Sequence, residues 1–164
     1  MNAPVRGELD ATELRIGVVR SLFNQPVTDG LLRGAVEVLE EAGAGDVTII
    51  DIEGAFEAPV VARRLASEGC DAVIALGAVI EGETDHYEHI AGRTSEGLMR
   101  VMLDTGVPIA FGILTVTDPD HALARSAPGE KNKGREAANA AIRTANLLKK
   151  NQELRIKSQD SGSS

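Results

Sequence analysis

Aromatic residues are the scarcest class in this sequence. Its 164 residues include no tryptophan, one tyrosine and three phenylalanines. A hydrophobic core of this size must therefore rely on Val, Ile, Leu and Ala. The positions of the few aromatic residues become informative for the same reason, and they are Phe23, Phe56, Tyr87 and Phe111.

Three further shortages exclude classes of protein. Cys70 is the single cysteine, so no intrachain disulfide can form, and a reducing cytoplasm is the expected location. The net charge of -8 disfavours nonspecific nucleic-acid binding, which depends on Lys and Arg neutralising phosphates. Residues 1–10 lack the apolar segment of a signal peptide, and no apolar run approaches the roughly 18–20 residues that span a bilayer. We expect neither nucleic acid nor a membrane as a partner.

Short apolar segments alternate with segments of helical periodicity along the chain. The predicted strands are Leu14–Arg20, Asp46–Ile52, Asp71–Gly77 and Pro108–Thr115. The predicted helices are Val27–Gly43, Pro59–Gly69, Asp85–Asp104, Pro119–Arg125 and Asn132–Lys150. Each parallel crossover needs a helix, so this alternation predicts an α/β three-layer sandwich with a four-stranded parallel, doubly wound, flavodoxin-like sheet. Residues 1–157 are predicted to form a single domain, and residues 158–164 a disordered tail.

Local signals suggest where some helices begin and end. Thr28 or Asp29 is the predicted N-cap of the first helix, and Gly43 its end. Pro59 suits the first turn of the second helix, where a missing N–H is tolerated. Cys70 opens an apolar run and is expected to be a buried, unreactive thiol.

In open α/β sheets, ligands bind beyond the carboxyl ends of the strands. Phe23 and Phe56 follow the first two predicted strands, Tyr87 follows the third, and Phe111 lies in the fourth. These rings either form a stacking surface for a planar ligand or plug the top of the core. The sequence has no G-x-G-x-x-G after the first strand and no phosphate-binding G-x-x-x-x-G-K-[ST]. Nicotinamide and ATP chemistry are therefore disfavoured.

The segment "GAVIEGETDHYEH", residues 77–89, is rich in glycine, acids and histidine. His86 and His89 are not spaced as in H-E-x-x-H and have no supporting ligand cluster, so we expect no metal. Thr84 or Asp85 can cap the following helix. Free N–H groups at a glycine-hinged helix start can instead hold an anion beside an acid–base histidine, His86. A charged helix cap and a phosphate cradle both remain open here.

A basic cluster precedes the last predicted helix. It consists of Arg125, Lys131 and Lys133. In an acidic protein such a cluster is either an anion site or a solvated loop.

Taken in order, several motifs resemble the lumazine synthase family of riboflavin biosynthesis over about residues 7–150. They are "FN", "GAFEAP", "ALGAVIEGETDHYEHIA", "VPIAFGILT" and "NKGREAANAAI". The resemblance implies a transferase that condenses 5-amino-6-ribitylaminouracil with 3,4-dihydroxy-2-butanone 4-phosphate. The products would be 6,7-dimethyl-8-ribityllumazine, phosphate and water, formed without cofactor or metal. It also implies homopentamers with active sites between adjacent subunits, while a decamer, a sixty-subunit shell and a complex with riboflavin synthase stay open.

The resemblance also implies roles for individual residues. His86 would carry protons. The phosphate would bind to Gly82, Glu83, Thr84 and Arg125. The pyrimidine and ribityl chain would contact Phe23, Asn24, Ala55, Phe56, Glu57, Val79, Ile80, Phe111 and Lys133, with Phe111, Arg125 and Lys133 supplied by the neighbouring subunit.

Some positions depart from the family pattern. Leu22 and Glu81 stand where basic residues are usual, Glu53 stands where proline is usual, and "RSAPGEKN" replaces "RAGTKAGN". One alternative is therefore a catalytically weakened relative that binds lumazine or flavin, or only forms the shell. A flavodoxin-like electron carrier is another, although nothing in the sequence supports a tightly held flavin.

Overall fold

A computed structural model describes residues 1–163 of the chain. The strands are β1 (Arg15–Ser21), β2 (Asp46–Ile52), β3 (Ala72–Ile80) and β4 (Ile109–Val116). The helices are α1 (Gln25–Glu41), α2 (Ala58–Ser67), α3 (His86–Thr105), α4 (Pro119–Ser126) and α5 (Lys133–Ser161). A short 3-10 turn, Ala55–Glu57, leads into α2. No helix within residues 1–163 is long and apolar enough to cross a membrane.

The four strands are all parallel and lie in the order β2-β1-β3-β4. Helices α1, α4 and α5 pack on one face of the sheet, and α2 and α3 on the other. The predicted three-layer, flavodoxin-like α/β fold is confirmed. The central strand β3 is buried along nearly its whole length, as its continuous apolar sequence predicts.

The core contains no aromatic side chain among the residues described. It consists of aliphatic residues together with Cys70, and many of them are alanines. Burial raises the pKa of the Cys70 thiol. As a result, little reactive thiolate forms at neutral pH. The predicted burial of Cys70 is confirmed.

The predicted start of the first helix is wrong. The helix begins at Gln25 with Asn24 as its N-cap, whereas Thr28 is fully buried inside it. Asn24 has a left-handed backbone (φ 61°), which asparagine tolerates, and its carbonyl oxygen accepts from the N–H groups of Val27 and Thr28. Pro26 lies in the first turn, where proline does not disturb a helix, so the helix can begin earlier than its apolar spacing indicates.

Two other element ends differ from prediction. Strand β3 continues three residues beyond Gly77 to Ile80, because β4 pairs with it as far as Ile80 and Val116. The sequence predicts the last helix to end near Lys150 and a disordered tail from residue 158; the structure instead continues α5 through Ser161. Residues 151–161 contain no Gly or Pro to stop the helix, and Gly162 follows as its C-cap. Ser164 lies outside the described residues.

Candidate active site

A cavity of about 610 Å³ lies at the carboxyl ends of β1, β2 and β3, and we call it the first cavity. Strand ends, the 3-10 turn and the first turn of α3 surround it. Its lining includes the predicted site residues Phe23, Ala55, Phe56, Glu57, Val79, Ile80, Gly82, Thr84 and His86. Five further residues complete it: Glu53, Gly54, Ala78, Tyr87 and Ile90.

Backbone hydrogen bonds fix Phe23 at the mouth of this cavity. The N–H of Leu22 donates to the carbonyl oxygen of Ile52 (2.8 Å), and the N–H of Phe23 donates to that of Glu53 (3.1 Å). The Asn24 side-chain amide donates to the carbonyl oxygen of Ala78 (2.9 Å). The loop after β1 is thus attached to both neighbouring strands, while the Phe23 side chain stays exposed. Asn24 itself is not among the lining residues.

The exposed rings do not plug the core. Phe23 is 66% exposed, Phe56 58% and Phe111 48%. Glu57 shapes the turn that carries Phe56, since its carboxylate accepts from the N–H of Gly54 (3.0 Å). Of the two interpretations given by the sequence, a stacking surface agrees with this exposure.

The turn between β3 and α3 presents backbone donors. Within residues 1–163, the N–H groups of Gly82, Glu83 and Thr84 donate to no other protein group. They lie just before the start of α3, where the helix dipole favours a negative charge. The side chains of Glu81, Glu83 and Asp85 are exposed, and Glu83 does not line the cavity. The expected cap is present only as a long contact, in which His86 N–H donates to Thr84 Oγ1 (3.4 Å).

The two histidines of this segment have different surroundings. His86 lines the first cavity beside Thr84 and Tyr87. His89 lies outside it, with Nε2 3.4 Å from an Asp85 carboxylate oxygen. Of the two, His86 alone is placed to exchange protons with a ligand in the first cavity.

A second cavity of about 480 Å³ lies along β4, which is an edge strand, and beside α4 and α5. Three further predicted site residues, Phe111, Arg125 and Lys133, line it. Arg125 donates from Nη1 to the His121 carbonyl oxygen (3.3 Å), and Lys133 Nζ lies 2.8 Å from a Glu136 carboxylate oxygen. Lys131 is exposed and is not among the lining residues. Two of the three cations in the basic cluster thus line a common cavity.

Asn132 fixes the chain between Arg125 and Lys133. Its buried amide nitrogen lies 3.0 Å from the carbonyl oxygens of Gly30, Ser126 and Ala127. Its carboxamide oxygen caps α5 by accepting from the Gly134 and Arg135 N–H groups. A Cβ at Gly34 would collide with this side chain, so the close approach of α1 requires glycine there. The spacing of the two cations therefore depends on a buried polar contact.

Two ionisable residues of the second cavity were missed by sequence reasoning, His121 and Glu136. His121 stands four positions before Arg125 on α4, and Glu136 stands three positions after Lys133 on α5. Residues three or four apart share a helical face. That spacing, measured from the two predicted cations, is the signal that could have identified both.

The two cavities share no lining residue. The first provides aromatic rings, backbone N–H donors and His86, with no Lys or Arg in its lining. The second provides Arg125 and Lys133. Residues 1–163 hold no group of three or more His, Cys, Asp or Glu arranged to bind a metal ion. The exposed rings of Phe23 and Phe56 and the cations of Arg125 and Lys133 therefore line separate cavities of one chain.

The fold and these cavities define a flavodoxin-like α/β protein with a cavity at the carboxyl ends of its parallel strands. Residues 13–149 match the family model of 6,7-dimethyl-8-ribityllumazine synthase. The chain is also 42% identical over 147 residues to the 6,7-dimethyl-8-ribityllumazine synthase of Thermococcus kodakarensis, across 89% of this chain and 94% of that protein. The chain belongs to the 6,7-dimethyl-8-ribityllumazine synthase family.

Proposed function

We propose that this chain catalyses the reaction of its family in riboflavin biosynthesis. The reaction condenses 5-amino-6-ribitylaminouracil with 3,4-dihydroxy-2-butanone 4-phosphate and yields 6,7-dimethyl-8-ribityllumazine, phosphate and water. The observation that carries this proposal is the first cavity, where exposed rings, unpaired backbone donors and one histidine meet. A planar ring with a polyol chain and a phosphate ester need these three kinds of contact.

The aminouracil fits the side of the first cavity formed by β1 and β2. Phe23 is exposed and held by its backbone, so its ring can stack on the pyrimidine at little conformational cost. Phe56 and Glu57 stand on the 3-10 turn at the same cavity, with a carboxylate available to polyol hydroxyls. The backbone at Val79 and Ile80 supplies polar groups to the uracil edge.

The phosphate ester fits the opposite side. The N–H groups of Gly82, Glu83 and Thr84 can donate to its oxygens, and Arg125 of a neighbouring copy can pair with its charge. His86 stands between the two substrate positions. It would accept the proton that the attacking amine loses and return one to the departing water or phosphate.

Positioning accounts for most of the rate enhancement in this scheme. The amine adds to the ketone, and the imine forms with loss of water. The adjacent carbon then loses a proton as phosphate leaves, and the resulting enol becomes a ketone. The second nitrogen adds to that ketone and closes the ring with loss of a second water. Holding two reactive molecules together in the right orientation can contribute about 7–11 kcal/mol in ideal cases. No external oxidant or reductant is needed, because each nitrogen adds to a substrate carbonyl carbon and the only groups released are phosphate, water and protons.

We infer that each active site forms between two copies of the chain. The first cavity has no Lys or Arg in its lining, yet its proposed substrate carries a phosphate; the second cavity has both cations and opens at an edge strand. Packing the second cavity of one copy against the first cavity of the next completes both. Head-to-tail contacts of this kind can close into a ring. The pentamer implied by the resemblance is one such ring. A larger shell or a complex with riboflavin synthase would build on that ring.

The test follows lumazine fluorescence after the two substrates are mixed with purified protein. An enzyme-free blank is the control, because these reactants condense slowly by themselves. We expect formation far above the blank. A rate equal to the blank, with the lumazine still bound by the protein, would instead identify a pocket or shell protein derived from the enzyme.

A further inference from the structure

Strand β1 carries an arginine at each end, and each arginine faces an aspartate on β2 in register. Arg15 pairs with Asp46 at the amino end of the sheet, and Arg20 pairs with Asp51 at the carboxyl end. The first pair is exposed, with about half of each side chain in solvent, whereas the Arg20 side chain is only 9% exposed. The same two strands thus carry one pair in which both partners are exposed and one pair in which the arginine is buried while Asp51 is 44% exposed.

The guanidinium of Arg20 binds two carboxylates. Its Nε and Nη2 donate to the two oxygens of Asp51 at 2.8 and 2.9 Å, and its Nη1 donates to Asp29 of α1. The hydrogen bond from Arg20 holds the pKa of the Asp51 carboxyl below its usual value, although partial burial opposes the shift. We call this set of bonds the Arg20 fork. It joins β1, β2 and α1 through charge-assisted hydrogen bonds of fixed geometry.

The segments that leave these elements form one side of the first cavity. Phe23 follows Arg20 by three positions, and the segment from Glu53 to Glu57 begins two positions after Asp51. The sheet pairing of β1 with β2 ends at Ser21 and Ile52, and the bonds from Leu22 and Phe23 continue it for two residues. Arg20 lines neither cavity. Arg20 lies next to the strand ends from which the Phe23 segment and the Glu53–Glu57 segment emerge.

Packing alone does not explain this arginine. Burying a guanidinium removes its hydration, and an apolar side chain of similar volume often gives equal or greater stability. A bidentate fork provides what an apolar residue lacks, which is a fixed separation and orientation of the two backbones. The Arg20 contacts thus add to the backbone bonds of Leu22 and Phe23, which also hold the two segments side by side.

We propose that Arg20 is a positioning residue for the condensation: through Asp51 and Asp29 it fixes the spacing between Phe23 and the Phe56–Glu57 turn, and so determines affinity for the aminouracil but not for the phosphate substrate. This inference rests on the proposed function. The phosphate substrate is independent of Arg20 because its proposed contacts lie on the turn after β3 and on the second cavity.

The test compares Arg20→Met with the matched control Arg15→Met, which breaks the pair at the other end of the same two strands. We expect Arg20→Met to raise the KM for the aminouracil by about ten- to a hundredfold, as small displacements at a site can. Its KM for the phosphate substrate should stay within about twofold, and Arg15→Met should leave both within about twofold. Arg20→Lys keeps the charge but loses the fork, so it should recover only part of the affinity.

If Arg20 had a purely structural role, Arg20→Met would raise the KM for both substrates equally or lower only the thermal midpoint of unfolding. Either result would overturn the inference. If Arg20→Met does not fold, Asp51→Asn removes one side of the fork and should give the same KM split. Titration of the wild type and of each variant with 6,7-dimethyl-8-ribityllumazine measures binding affinity independently of catalysis. If the wild-type protein binds the lumazine but does not catalyse the condensation, the proposed activity alone is refuted. In that case, weaker lumazine binding by Arg20→Met but not by Arg15→Met would still support the positioning role of Arg20. If Arg20→Met and Arg15→Met bind the lumazine equally well, the inference about Arg20 is refuted. If the wild-type protein neither binds the lumazine nor catalyses the condensation, both the proposed activity and the inference are refuted.

Discussion

The two cavities of this chain differ in what they can bind. The first is lined by rings, backbone donors and His86 and has no Lys or Arg, whereas the second has Arg125 and Lys133 and one lining carboxylate, Glu136. A substrate pair that combines a planar ring with a phosphate ester needs both sets of contacts. This difference is the basis of our proposal that one copy of the chain holds two halves of a site and that each half is completed by another copy.

The largest expected effect comes from separating the halves by mutation. Phe23→Ala combined with His86→Ala should inactivate the first cavity, and Arg125→Ala combined with Lys133→Ala the second. If sites form between copies, rings assembled from an equal mixture of the two double variants should recover about a quarter of wild-type activity, because each contact joins two intact halves with that frequency. Lumazine fluorescence of the co-refolded mixture gives the measurement.

The same mixture, combined after each variant has assembled, is the control and should stay inactive unless subunits exchange. Absence of any recovery in co-refolded rings would place both halves of a site on one chain. The division between the cavities would then have no functional meaning.

A single change in the second cavity should act on one substrate. Arg125→Ala removes a charge-assisted contact to the phosphate, so we expect the KM for the phosphate substrate to rise by about a hundredfold and that for the aminouracil to change little. Steady-state kinetics with each substrate varied in turn measures both values. Lys131→Ala is the matched control, since Lys131 belongs to the same basic segment but lies outside the cavity. Equal losses in the two variants would mean that general surface charge, not Arg125, attracts the phosphate.

A change at His86 should lower turnover and leave both KM values near wild type. Removing a placed acid–base group usually costs about 10²–10⁴-fold, but His86 is exposed, water can replace it, and the reactants condense unaided, so we expect about tenfold for His86→Ala. His89→Ala, which breaks only the contact with Asp85, should stay at the wild-type rate. A loss as complete as that of the double variants would show that proton transfer, not positioning, limits the reaction.

Much of the fold follows from the sequence because its signals are local. The bounds of β2 match prediction, since its apolar run is limited at both ends by charged or glycine-rich segments. The rule that ligands bind at strand ends correctly brings Phe23, Phe56 and His86 together. That rule also groups Phe111 with them, whereas the structure places Phe111 in the second cavity, because β4 lies at the edge of the sheet.

What the sequence could not provide depends on distant contacts. Asn132 is recognisable as a helix cap, but its burial against Gly30, 102 positions away, becomes visible only in the folded chain. His121 and Glu136 share helical faces with Arg125 and Lys133, but the cavity that all four line is visible only in the folded chain. Arg20 reads as the polar end of a strand until its bonds to Asp29 and Asp51 are seen. The supporting contacts of both cavities, more than their lining residues, are what a single sequence leaves out.

The smallest predicted effect concerns a charge beside the first cavity. Glu81 precedes the turn proposed to bind phosphate and is exposed there, so its carboxylate repels a phosphate through water, which screens most of the interaction. We expect Glu81→Gln to lower the KM for the phosphate substrate by about two- to threefold, and the gain to disappear at 1 M salt, where the Debye length is about 3 Å. Glu40→Gln, an equal charge change on the exposed part of α1, should give no gain. A gain of equal size in both variants would assign the effect to net charge, whereas a gain in Glu81→Gln that persists in salt would mean that this carboxylate touches the substrate directly.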